Sequence, residues 1–163
     1  MKRLRKSSAN DVIIQRFIHE AFAMGEMYHP NVLLIFELID PDQYPSVDSY
    51  YIIMEYLDGG TLRDWINNHE ASQTNLVESI RIIKDILRGL AIAHQEKIIH
   101  RDIKPENILL SSDSIHVKIG DWGLAHFEDF RMTRVGSVIG TFAYMAPEQA
   151  VGASASVDPR SEL

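Results

Sequence analysis

The 163-residue sequence has no cysteine. That excludes disulfides, thiolate nucleophiles and cysteine-based zinc centres, and it suits a reducing, cytoplasmic setting. No apolar run approaches the roughly 20 residues of a membrane span. The basic start MKRLRKSSAN is not followed by the apolar segment of a secretory signal. Neither a G-x-G-x-x-G string nor a Walker-type Gly-Lys-Ser/Thr loop occurs, and the missing Walker loop argues against a nucleotide-binding fold of that kind. Positive charge is in deficit: 16 Lys and Arg against 23 Asp and Glu give a net −7. General attraction to nucleic acid or an anionic membrane is therefore not expected, although a local basic groove stays compatible with that balance. There is no internal repeat and no low-complexity tract.

What is present suits one globular domain, with 45% hydrophobic residues to build a core. Ile13, Phe17, Ala21 and Met24 recur at helical spacing and predict a helix from about Ser8 to Tyr28, stopped by Pro30. VLLIFELID and SYYIIMEY, rich in branched and aromatic residues, read as two strands joined by a Pro-containing turn. Gly59-Gly60 breaks the chain before a short helix in TLRDWINNH. Val77, Ile80, Ile83, Leu87, Leu90, Ala91 and His94 mark a long amphipathic helix, about Asn75 to Gln95. A hairpin of ILL and IHVKIG follows. Strands with one helix come first and helices with a small hairpin after, an α+β pattern with a boundary near EYLDGG.

The stretch IIHRDIKPENILL sets His100, Arg101, Asp102, Lys104, Glu106 and Asn107 between apolar flanks. Charges beside a core are costly unless paired, so packing alone does not explain them. A carboxylate such as Asp102 can orient or deprotonate a hydroxyl. The Asn107 oxygen suits a hard cation, and Lys104 can set positive charge beside a phosphoryl group. Two further strings follow in order, Asp121-Trp122-Gly123 and the run GTFAYMAPE from Gly140 to Glu148. Together the three resemble the catalytic loop, the D-F-G motif and the A-P-E end of the activation segment in the protein kinase superfamily, a template with its own known mechanics. Lys104 and Thr141 match the serine/threonine class, and the style of HPNV and MEYLDGGTL is similar to its bacterial branch.

The resemblance implies an α+β, two-lobed kinase-like fold. Residues 1–56 would be the remnant of the small lobe, holding the end of its lysine-bearing strand, its glutamate-bearing helix and two strands. Residues 57–163 would be part of the large lobe, from the hinge to the activation segment. The implied reaction is phosphoryl transfer from ATP, with Mg²⁺, to a protein Ser or Thr hydroxyl. Asp102, Lys104, Asn107 and Thr141 would be catalytic, and Asn107 with Asp121 would hold the metal. Glu20, nine residues before His29, falls where the family carries its helix acid; on its own it reads as a carboxylate at a helix edge. Lys2, eighteen residues before Glu20, would be its partner and would bind phosphates; the alternative is an ordinary lysine of a basic run. Met54 would back the adenine site, Glu55 and Leu57 would offer it backbone hydrogen bonds, and Leu109 would form its floor. Met24, Ile35, His100 and Trp122 would stack between the lobes, which makes His100 a packed residue rather than a proton shuttle. Arg101 would bind a phosphate on Thr133 or Ser137.

Three departures from the family matter. The Gly-rich phosphate loop is absent, and DPRSEL only approaches the central helix of the large lobe, with Glu162 where the family usually has Asp. The expectation is a kinase fragment of little or no activity on its own. The alternative is a non-catalytic, kinase-like remnant that serves as a binding module. Trp122 replaces the usual Phe, and its larger ring is expected to resist an outward flip.

Overall fold

The computed structural model describes residues 1–25, 27–68, 76–113, 116–122, 143–147 and 159–162. Near the N-terminus, Asn10 caps helix α1 (Asp11–Gly25) by accepting the Ile13 N–H on its Oδ1 at 2.9 Å. Asp11 in the first turn complements the helix dipole. The helix is shorter than its apolar pattern suggested, because Lys6–Ser8 form a separate 3-10 turn before it. Its buried face is Ile14, Phe17, Ala21 and Met24. Ile13, expected on that stripe, is 45% exposed, so the stripe begins one residue later.

Helix α1 packs on a three-stranded antiparallel sheet of order β1-β3-β2, made of β1 (Lys2–Arg5), β2 (Ile35–Ile39) and β3 (Ser49–Met54). The register sets Lys2 opposite Ile52 and Leu38 opposite the same residue from the other side. Ile14, Phe17, Ala21, Tyr50 and Ile52 form the core between helix and sheet.

The second half is built around helix α3 (Leu76–Gln95) and the hairpin of β4 (Ile108–Leu110) with β5 (Val117–Ile119). The long apolar run from Val32 does not stay in one strand. Val32 bridges to Ile119 in parallel, and the Leu33 N–H donates to the Ile119 carbonyl at 2.9 Å. One sequence run thus serves both halves, and β2 begins only at Ile35. Helix α2 (Leu62–Asn68) starts with a reciprocal cap: the Asp64 N–H donates to Thr61 Oγ1, and the Thr61 N–H donates to Asp64 Oδ2.

The buried face of α3 is Ile82, Gly89, Leu90 and Ala93. Val77, Ile80, Ile83 and Leu87, expected on the core side, are 45% or more exposed. Two apolar stripes run along this helix, and the one that meets β5 is the one holding glycine and alanine, which allow close approach. At its C-terminus Lys97 takes a positive φ of 62°, Ile98 N–H bonds Ala93 O and Lys97 N–H bonds His94 O. This is a Schellman stop with lysine in the usual glycine place, and it turns the chain directly into the charged loop.

Candidate active site

The turn after α3 sends His100 fully inside, at 0% exposure, with its ring centroid 4.7 Å from that of Trp122. His100 Nε2–H donates to the Gly120 carbonyl at 2.8 Å, and Nδ1 accepts the Asp102 N–H at 3.3 Å. Both ring nitrogens are used by the neutral form, and burial holds its pKa below the ordinary histidine value. The expected packed role is what the structure shows. Met24 and Trp122 share one buried cluster, with Ile35 against it, so the expected stack is brought together.

Arg101 follows at φ 65°, a left-handed conformation that costs a non-glycine residue on the order of 1 kcal/mol. The conformation is held from outside. Arg101 N–H donates to Glu162 Oε1 at 2.5 Å, and Glu162 Oε2 lies 2.7 Å from His94 Nε2. The Glu162 side chain is 2% exposed, in the 3-10 turn Pro159–Glu162. From the sequence its place was noted, but its two partners, 61 and 68 residues away, left no local signal.

Asp102, its side chain 8% exposed, then meets Lys104 and Asn107. Its Oδ2 accepts Lys104 Nζ at 2.6 Å and Asn107 Nδ2 at 3.0 Å. The same amide also donates to the Asp102 carbonyl at 2.7 Å. Because the Asn107 nitrogen is spent on Asp102, its oxygen is the atom presented elsewhere. The 3-10 turn Pro105–Asn107 fixes this arrangement, and the Gly120 N–H donates to the Asn107 carbonyl at 2.9 Å. That bond sets Asp121 beside Asn107. Asp121 has φ 57° and forms an ion pair with Lys2, which β1 delivers from the opposite half of the molecule.

A cavity of about 260 Å³ lies between the halves. Lys2, Met54, Asn107, Leu109 and Asp121 line it, together with Met24, Ile35 and Trp122. Glu55 and Leu57 do not line it. The Glu55 N–H donates to the Leu34 carbonyl at 2.9 Å, and its carboxylate accepts Lys118 at 2.9 Å and the Leu34 N–H at 3.2 Å. Only its carbonyl could serve an adenine amine. Glu20 lies within α1, but its side chain is outside the described residues, as are Thr141, Thr133 and Ser137. Among the described residues no three His, Cys, Asp or Glu side chains gather as a metal cage. A magnesium ion held jointly with phosphates needs only one or two carboxylates, so the Asp121 carboxylate with the Asn107 oxygen is a fitting donor set.

Comparison with known proteins accords with this geometry. Residues 1–160 match the protein kinase domain. The probable serine/threonine-protein kinase PknB of Lactococcus lactis is 40% identical over 159 residues, which cover 96% of this chain and 24% of that protein. The serine/threonine-protein kinase PrkC of Bacillus subtilis is 38% identical over 158 residues, covering 96% and 23%. The chain thus spans about a quarter of the length of these relatives. A crystal structure of a Mycobacterium tuberculosis PknI kinase domain mutant superposes with a TM-score of 0.70 at 25% identity, covering 99% of this chain and 56% of that one. By its match from residue 1 to residue 160, the chain belongs to the protein kinase domain family.

Proposed function

We propose that this chain is part of a serine/threonine protein kinase that moves the γ-phosphoryl group of ATP to a Ser or Thr hydroxyl of a protein. The observation that carries this reading is the Asp102–Lys104–Asn107 cluster, whose Asn107 lines one cavity together with the ion-paired Lys2 and Asp121. Asp102 accepts the hydroxyl proton as the new O–P bond forms and ADP departs. Lys104, held 2.6 Å from Asp102, supplies positive charge to the equatorial oxygens. Asn107 and Asp121 would hold Mg²⁺, which neutralises charge on the phosphates. Lys2 turns from Asp121 toward the phosphates when the nucleotide enters. Met54 and Leu109 enclose the base. A cytoplasmic setting, with no nucleic acid as partner and no membrane segment in this chain, belongs to the same reading; among the described residues no helix is long and apolar enough to cross a membrane.

The 163 residues contain no Gly-rich phosphate loop, and positioning is a large part of this catalysis. Slow transfer by the chain alone is therefore expected. The test is a melting curve with Mg-ATP beside transfer of labelled phosphate to a serine peptide. Mg-ATP should raise the melting temperature of the chain and of Asp102→Asn, but not of Asp121→Asn. Asp102→Asn should lower transfer by about 10²–10⁴-fold. A chain that neither shifts with Mg-ATP nor transfers phosphate is not an enzyme, and the binding-module alternative then takes its place.

A further inference from the structure

The chain has six methionines and no cysteine, so thioethers are its only sulfur. Three of the six, Met1, Met24 and Met54, line the cavity between the halves. The rim is open to solvent, since the Asp121 side chain on it is 53% exposed. The wall is otherwise largely apolar, with Leu33, Ile35, Ile52 and Leu109 on it. A small water-borne oxidant thus reaches thioethers against which a ligand has to pack. The product such an oxidant leaves, methionine sulfoxide, turns a flexible apolar side chain polar.

The three methionines differ in what oxidation does. Met1 is 78% exposed, so it reacts freely but its sulfoxide finds water. Met24 belongs to the buried cluster with Val32 and Trp122, so oxidation there waits on an opening of the core. Met54 combines access with consequence. It is the last residue of β3, partly buried, packed against the Phe17–Ile52 core and paired with Ile35 in the register. A sulfoxide oxygen there enters an apolar wall. The side-chain donors around the cavity are engaged. Asn107 Nδ2 serves the carbonyl and the carboxylate of Asp102, Trp122 Nε1 serves Ile119 O, and Lys2 is paired with Asp121. An acceptor without a donor is costly once a ligand shuts water out.

We propose that Met54 is an oxidation site for hydroperoxides, and that its sulfoxide closes the cavity to an apolar ring. With hydrogen peroxide, one oxygen passes to the thioether. The O–O bond breaks and the S–O bond forms, and sulfur gives up two electrons. The other peroxide oxygen takes those electrons and the proton of the transferred hydroxyl, and leaves as water. The proposal rests on the kinase reading for its ligand, the adenine ring of ATP; the modification itself does not depend on that reading.

The test treats the chain with graded hydrogen peroxide and maps the oxygen by mass spectrometry. Cleavage after glutamate puts Met24, Met27 and Met54 in separate peptides, because Glu20, Glu26, Glu37 and Glu55 stand between them. Met27 is 2% exposed and does not line the cavity, so it is the internal control. Met54 should gain its oxygen about tenfold faster than Met27. At the exposure where Met54 is converted and Met24 and Met27 are not, the Mg-ATP concentration giving half the melting shift should rise about tenfold. Met54→Leu cannot take up oxygen, and its own half-shift concentration should be the same before and after peroxide. Met54→Gln, polar from the start, should bind weakly without peroxide. Met54 oxidised no faster than Met27, an unchanged half-shift concentration after its conversion, or an equal rise in Met54→Leu overturns the proposal. An untreated chain with no Mg-ATP shift overturns the kinase reading instead. The site is then decided by the melting temperature of the chain alone: peroxide should lower it in the parent and not in Met54→Leu, and equal falls overturn the proposal.

Discussion

His100 is the residue whose protonation state the fold dictates most strongly. Its two ring nitrogens serve Gly120 O and Asp102 N, and a second proton on Nδ1 would eject the Asp102 N–H. Burial holds its folded pKa below the unfolded value of about 6.5. As pH falls through that unfolded value, the unfolded chain takes up a proton that the folded chain refuses. Stability present above about pH 6.5 is then lost on acidification. Melting temperature measured from pH 8 to pH 5 should fall below pH 6.5, and His100→Phe should flatten the fall. A smaller slope should remain, since burial also lowers the His29 pKa. Parallel curves for the two proteins would show that His100 is not the group responsible. Trp122 belongs to the same local unit: it is 3% exposed and donates its indole N–H to Ile119 O at 3.1 Å. Burying an indole of roughly 150–250 Å² at about 25 cal/mol/Å² gives on the order of 4–6 kcal/mol as an upper bound. An outward flip of this residue must overcome that burial and the hydrogen bond together.

Among the elements, the seam between α3 and β5 tolerates the least change. A Cβ on Gly89 would sit 2.7 Å from the Asn31 carbonyl oxygen and 2.9 Å from Ile119 Cδ1. The carbonyl cannot give way, because it accepts the Ile119 N–H at 2.9 Å. Gly89→Ala gains about 1 kcal/mol of helix propensity but overpacks this contact, which costs about 1–3 kcal/mol. The expected result is a net loss of up to about 2 kcal/mol in urea unfolding, and a stabilised variant would show that the seam can open. This seam also marks where the sequence is legible and where it is not. The cap of α2, the hairpin β4–β5 and the charged loop are local patterns, and each lies close to where the sequence places it. The buried side of α3 was not legible, because Ile80, Ile83 and Leu87 form as regular a stripe as Ile82, Leu90 and Ala93. Periodicity identifies a helix but cannot choose between two apolar faces; the small residues at Gly89 and Ala93 were the usable signal. The Glu162 contacts and the Arg63–Glu106 pair join residues 43 or more positions apart, where no local pattern exists.

At the scale of the whole molecule, two cores meet at the cavity. Ile52 and Phe17 centre one, and Ile108, Leu110, Val117 and Ile119 centre the other. The Leu33–Ile119 backbone bond and the Lys2–Asp121 pair cross between them. The surface is less well balanced than the interior. Leu76 and Val77 are 71% and 74% exposed, and Ile80, Ile83 and Leu87 continue the same stripe along α3. From Leu76 to Leu87 this spans roughly 16 Å at 1.5 Å per residue. A continuous apolar stripe of this kind favours association in water. The chain in isolation should therefore self-associate as its concentration rises, detected as a growing mass in sedimentation velocity. Ile80→Glu combined with Ile83→Lys should shift it toward monomer. Both positions are more than half exposed, so stability should stay within about 0.5 kcal/mol of the parent. The stripe lies away from the α3 face that packs on β5, and neither residue lines the cavity. Any Mg-ATP melting shift should therefore survive in the double variant. A chain that remains monomeric at every concentration would show that this stripe does not drive association, and a double variant that loses the nucleotide shift would tie the outer face of α3 to the site on its inner side.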